Sequence, residues 1–184
     1  MTHLSKLSLA AVFVSVLGLT ACSSMATHST YSQAELPAAV KVPAGHKVVM
    51  ETVGVGQITY ECRAKKDTAA EYEWVFVGPD AKLQTRSGAV IGKYWGPPAT
   101  WESNDGSAVT ATQVAVAPAG MGSIPLQLVK ANPASSMGAM QGVTYIQRVA
   151  TKGGVAPSMA CGASNMGSKR VVQYQADYIF WKAA

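Results

Sequence analysis

Few residues in this sequence could do acid–base or nucleophilic chemistry. Three histidines occur, and His3 and His28 both fall within the first 28 positions, which leaves His46. A serine or cysteine nucleophile needs an adjacent base, so such a device would rest on His46, and no Gly-x-Ser-x-Gly turn accompanies it. Following Pro43-Ala44-Gly45, His46 reads as an exposed turn residue. Catalytic zinc is excluded because it needs several His, Cys or carboxylate ligands in one place. Gly54-Val55-Gly56 lacks the third glycine and the following helix that would cradle a pyrophosphate. No cofactor is expected.

Three other groupings carry candidate chemistry. Glu102 and Asp105 form a local carboxylate pair, and two carboxyls can divide acid and base roles on a glycosidic bond. The same stretch, Ser103-Asn104-Asp105-Gly106-Ser107, also suits a hairpin turn in which Asp105 bonds nearby backbone and Gly106 supplies positive φ. Tyr94, Trp95 and Trp101 surround two prolines. Exposed, they would form a platform for a sugar ring or an apolar ligand; buried, they would be core. Arg148, beside Gln147, either faces a cleft or is satisfied by backbone carbonyls, and it joins the three aromatics as a candidate ligand-binding residue. Met137-Gly138-Ala139-Met140 resembles the spacing of periplasmic copper carriers, since thioethers select Cu(I). Methionine filling gaps under long loops is the alternative.

These groups must be held by a chain of 184 residues, 48% hydrophobic and 14% charged, a balance that folds rather than stays disordered. Its net charge is +5, with basic residues scattered rather than clustered with aromatics on one element, so nucleic acid is excluded as a partner.

The first 22 residues read as an export signal: His3 and Lys6, an apolar run over 7–19, then Leu19-Thr20-Ala21-Cys22. A run of about 13 residues is short for a permanent bilayer span. The small residues before Cys22 resemble the bacterial lipobox, which makes Cys22 the lipidated N-terminus and the bilayer a partner through its acyl chains. Ser23 and Ser24 follow, and no Asp, which by resemblance to the enterobacterial sorting rule points to the outer membrane. The expected organisation is a signal peptide over 1–21, a lipidated tether over 22–40 and one folded domain over 41–184. In that oxidising compartment the two remaining cysteines, Cys62 and Cys161, most simply pair.

Within the domain, polar and apolar residues alternate with period two. Ile58, Tyr60 and Cys62 share one face of a strand; 72–77 repeats the pattern and ends at the turn signal Gly78-Pro79-Asp80. Segments 109–117, 126–130 and 143–151 continue it. In 170–181, Val172, Tyr174, Ala176, Tyr178 and Phe180 fall together on an inward face. Residues 117–142 read as long loops flanking one strand. No helical period is sustained. The fold class is all-β, a two-sheet sandwich or distorted barrel of about eight to ten short strands.

Several pieces assemble into a known pattern. These are 54–62, Trp74-Val75-Phe76, Thr100-Trp101-Glu102 before Asp105-Gly106-Ser107, Ile124-Pro125, 145–149 with Gly153-Gly154, Pro157 and Cys161, and 174–178. In that order they resemble a secreted family of bacteria and fungi catalogued as domain of unknown function 3455. The resemblance implies no activity. One departure is visible: Lys93-Tyr94 stands where the family usually has Lys-His or Thr-His. The reading is therefore a membrane-anchored, non-catalytic binding or envelope-structural module whose ligand is an envelope glycan or an apolar small molecule. A carbohydrate hydrolase built on Glu102 and Asp105, and a Cu(I) carrier, are the alternatives.

Overall fold

The computed structural model describes residues 31–66, 68 and 70–184. Eight antiparallel strands follow one another in sequence: β1 (His46–Ala64), β2 (Tyr72–Gln84), β3 (Val90–Trp95), β4 (Thr100–Ser103), β5 (Ala108–Ala117), β6 (Leu126–Ala131), β7 (Val143–Gly153) and β8 (Lys169–Ala183). Each pairs with the next, and β8 returns to pair with β1 from His46↔Ala183 to Glu61↔Lys169. Of the two architectures expected, the barrel is the one formed. Closure leaves no sheet edge exposed along β1 and β8.

The inward faces are those the alternation indicates. Ile58, Tyr60 and Cys62 of β1 are buried, as are Tyr174, Ala176, Tyr178 and Phe180 of β8. Gly54 faces the same bore because the Tyr178 ring lies across it; a Cβ there would come within 2.5 Å of that ring. The end of the barrel bearing the turns 85–89, 104–107 and 132–142 is apolar. Leu83, Val109, Val129, Ile146 and Phe180 pack there, and Met140 joins them from the last of those turns.

Two boundaries differ from those expected. Gly78-Pro79-Asp80 does not turn the chain: β2 runs through it, with Pro79 opposite Ile58 beside a bulge at Thr59/Tyr60. Proline is tolerated because β2 pairs with β3 only from Asp80 onward, so Pro79 has no β3 neighbour to bond. The tether expected over 22–40 is in part a packed strap. Tyr31, Leu36, Val40 and Val42 lie on the outside of the barrel against Ala117, Leu128, Val149, Ile179 and Trp181. These apolar residues carry no period because they follow a 3-10 turn (Ala38–Val40) and irregular chain rather than a strand. The stretch read as an export signal, with Cys22 and His28, lies outside the described residues.

Cys62 and Cys161 form a disulfide with a Cα–Cα distance of 5.5 Å. It ties the long connection between β7 and β8 to the open end of β1.

Candidate functional site

The polar half of the bore lies at the end opposite Met140. Arg148 of β7 sits between Tyr178 of β8 and Gln127 of β6, and shares its strand face with the buried Ile146. Alternation therefore carries its side chain into the bore. Its positive charge acts on the phenols of Tyr60, Tyr94, Tyr174 and Tyr178, which come from β1, β3 and β8. Arg148 Nε and Nη2 both donate to the Pro125 carbonyl, at 3.1 and 2.9 Å. A guanidinium carries five N–H donors, so most of its capacity is uncommitted. Among the described residues no carboxylate forms an ion pair with it.

The surrounding rings are tightly fitted. Tyr94 stacks on Trp101 with centroids 4.5 Å apart, and both lean on Tyr178, at 5.0 and 5.8 Å. The Tyr60 hydroxyl donates to the Gly154 carbonyl at 2.8 Å, and the Tyr174 and Tyr178 hydroxyls lie 3.2 Å apart. Gln127 Nε2 donates to Gln113 Oε1 at 2.7 Å across β5 and β6. Burial pushes the four phenols above their ordinary pKa, and the Arg148 charge only partly offsets this. At neutral pH they remain hydroxyl donors. Trp101 is 1% exposed, yet among the described residues its Nε1 finds no acceptor, and the buried hydroxyls of Thr151 and Ser168 find no partner.

At this end the sheet is incomplete beside β5. The short β4 pairs with β5 at three positions only, Ala108 to Thr110, so beyond Thr110 β5 is bonded to β6 alone. Phe76, facing the Tyr60 ring at 6.1 Å, and Val116, opposite Gln127, are 51% and 46% exposed at this end.

A family model described as protein of unknown function (DUF3455) matches residues 43–182. The chain belongs to the DUF3455 family. No curated protein and no solved structure matches it. Within this DUF3455 domain the match covers the barrel, the disulfide and every bore residue named above. The strap over 31–42 precedes it. Tyr94 faces into the bore.

The residues singled out in the sequence are divided by the fold of the DUF3455 domain. Tyr94, Trp101 and Arg148 come together in the bore. Trp95 does not join them: it points outward, 40% exposed, between Asp80 and Thr100. The three aromatics therefore form no common platform, because adjacent strand residues face opposite sides.

Glu102 and Asp105 are both occupied structurally. Glu102 pairs with Lys93 at 3.3 Å. Asp105 Oδ1 accepts from the Ser107 amide at 2.9 Å and the Ser107 hydroxyl at 2.6 Å, while Oδ2 accepts from the Ala139 amide at 2.7 Å. The Ser107 hydroxyl, then the Ala139 and Ser107 amides, hold the Asp105 carboxyl down at about 2. A general acid needs the opposite shift. Met137 is exposed and Met140 is buried, so the two thioethers face different environments; the Met159 sulfur accepts from Arg170 Nε at 3.3 Å. His46 opens β1 rather than sitting in a free turn, with Nδ1 3.1 Å from the Pro43 carbonyl and its ring edge-on to Tyr145.

Sequence reading had placed Tyr60, Tyr174 and Tyr178 among core residues and passed over Gln113 and Gln127. The available signal was an arginine and several tyrosines at inward positions of strands, where aliphatic residues would make a drier core. A surface cavity of about 510 Å³ lies at the other end, lined by Lys130, Pro133, Met137, Gln141 and Thr144 among others. Its lining holds one charged side chain, Lys130, with polar Ser136, Gln141 and Thr144, and no aromatic ring.

Proposed function

We propose that this DUF3455 protein is a non-catalytic binding module that takes a small molecule into the polar half of its barrel. In this reading it is held to the bacterial envelope by acyl chains on Cys22. The observation that carries the binding role is Arg148 in the bore, surrounded by phenols, with most of its donors uncommitted, at the end where β5 is bonded to β6 alone. An eight-stranded barrel has an interior just large enough for side chains or one small ligand. The anchor rests on the signal pattern ending at Cys22. The occupied carboxylates Glu102 and Asp105 disfavour hydrolysis, and the divided methionines disfavour copper transport.

Both parts are testable. Cells fed labelled palmitate should incorporate it into the protein and not into a Cys22→Ser variant; an unlabelled parent protein refutes the anchor. The whole chain carrying Cys22→Ser, in detergent-free buffer, should bind the neutral fluorophore N-phenyl-1-naphthylamine saturably. Adding Val116→Trp at this end should weaken that binding by at least about tenfold, or 1.4 kcal/mol. Non-saturable or absent binding refutes the binding role.

A further inference from the structure

We infer that the barrel takes a singly charged oxyanion on an apolar body, a carboxylate or sulfonate, with its acidic head on Arg148 and its body against the Tyr94–Trp101–Tyr178 rings. This rests on the binding reading above and deepens it by naming the ligand's chemistry.

The head group follows from the donor inventory. Arg148 and the Trp101 indole can only donate, and the Tyr60, Tyr94, Tyr174 and Tyr178 hydroxyls, which can also accept, stay protonated at neutral pH. Arg148 spends two N–H groups on one carbonyl. Among the described residues the Tyr94 hydroxyl forms no hydrogen bond, while burial and the Arg148 charge act on it. Trp101 Nε1 is an independent second sign, a buried donor with no acceptor in the ring cluster that Tyr94 and Tyr178 share with it. An indole N–H can only donate, so satisfying it takes an acceptor from outside this cluster. Asp80 is close enough to act on Tyr174, yet it does not pair with Arg148.

Charge sets the valence. A half-buried guanidinium with no countercharge is unfavourable, and one anionic group offsets it where a dianion would leave charge uncompensated. The body follows from the walls: Phe76 and Val116 at this end, the stacked rings further in. Planar fork geometry makes arginine the residue suited to a two-oxygen head.

The test uses two probes of the same shape, 2-naphthoate and its neutral counterpart 2-naphthamide, titrated calorimetrically into the whole chain carrying Cys22→Ser. Naphthoate should bind at least about tenfold tighter, and Arg148→Met should lower its affinity by about 10- to 100-fold, as for a lost hydrogen bond to a charged group. Naphthamide should change by less than about threefold on the same substitution, and only naphthoate binding should weaken as salt rises. If Arg148→Met does not fold by circular dichroism, the salt series and Arg148→Lys decide instead. Lysine keeps the charge without the fork and should retain part of the preference for naphthoate. Equal affinities in the parent, or a preference that survives Arg148→Met, overturn the anion assignment and leave the binding role standing. Failure of N-phenyl-1-naphthylamine to bind saturably overturns the binding role itself.

Discussion

The Gln147 side-chain amide donates to the Val40 carbonyl at 2.6 Å, joining the outer face of β7 to the strap that precedes the barrel. Its Nε2 also donates to Gln33 Oε1, while its Oε1 accepts from Trp181 Nε1 at 2.9 Å and the Tyr31 hydroxyl at 3.1 Å. Gln147 and Val40 are fully buried and Trp181 nearly so, so the Val40 carbonyl and the Trp181 indole cannot turn to water in its place. Gln147→Leu should cost about 2–4 kcal/mol, since it strands at least two buried polar groups. Urea unfolding measures the loss. Limited proteolysis should cut 31–42 faster in the variant, and a strap equally protected in both proteins would contradict this account.

The two buried tryptophans should answer differently to the same change. Trp181 Nε1 is bonded to Gln147, and among the described residues Trp101 Nε1 is unpartnered. Replacing either indole by phenylalanine leaves a similar gap, but only Trp181→Phe breaks a hydrogen bond and abandons an acceptor. Trp181→Phe is expected to be the more destabilising by about 1 kcal/mol, read from urea midpoints at constant slope.

The Cys62–Cys161 bridge spans a sequence separation of 99 residues. Replacing both cysteines by alanine should lower stability by about 4–5 kcal/mol in the chain-entropy picture. The connection that the bridge restrains supplies the Gly154 carbonyl to Tyr60 and the Met159 carbonyl to Trp74. N-phenyl-1-naphthylamine binding should therefore weaken on reduction, while a bridge of purely thermodynamic value would leave binding by the folded fraction unchanged.

Acid should expose the role of Asp105. Its carboxyl titrates at about 2 in the folded chain against an ordinary 3.8, chiefly through the Ser107 hydroxyl and the Ala139 amide. Because the folded value lies below the unfolded one, the stabilisation is complete above about pH 4 and disappears as pH falls toward 2. Asp105→Asn should consequently be less stable than the parent at pH 7, with the two urea midpoints converging near pH 2. A difference independent of pH would assign the effect to shape rather than charge.

Much of the barrel was legible along the chain because strand faces alternate locally. Ile58, Tyr60 and Cys62 on β1, and Tyr174, Ala176, Tyr178 and Phe180 on β8, occupy the inward positions their spacing indicates. Where the reading failed, a local signal met a non-local circumstance. Gly78-Pro79-Asp80 has turn composition, yet β2 continues because a bulge and a missing β3 neighbour absorb the proline. The strap has the composition of a tether and packs because a matching apolar face waits on the outside of β5 to β8.

The candidate site was half legible. Tyr94, Trp101 and Arg148 were visible as residues able to hold a ligand, but Trp95 was grouped with them by sequence neighbourhood. A strand sends consecutive side chains to opposite faces, so neighbourhood was the wrong measure. Glu102 and Asp105 looked like a catalytic pair until Lys93 and the Ala139 amide were seen to occupy them.

By itself the order of residues determined the period-two alternation, the all-β class and the pairing of Cys62 with Cys161, and it is the sole ground for the anchor at Cys22. Those features depend on neighbours a few positions apart, or on the presence of two thiols able to pair. Tertiary structure alone decided that the sheet closes on itself, because β1 and β8 meet through residues more than a hundred positions apart. It alone brought the Arg148 guanidinium among tyrosines from three strands, since which inward faces confront one another depends on how the strands are ordered and staggered around the bore.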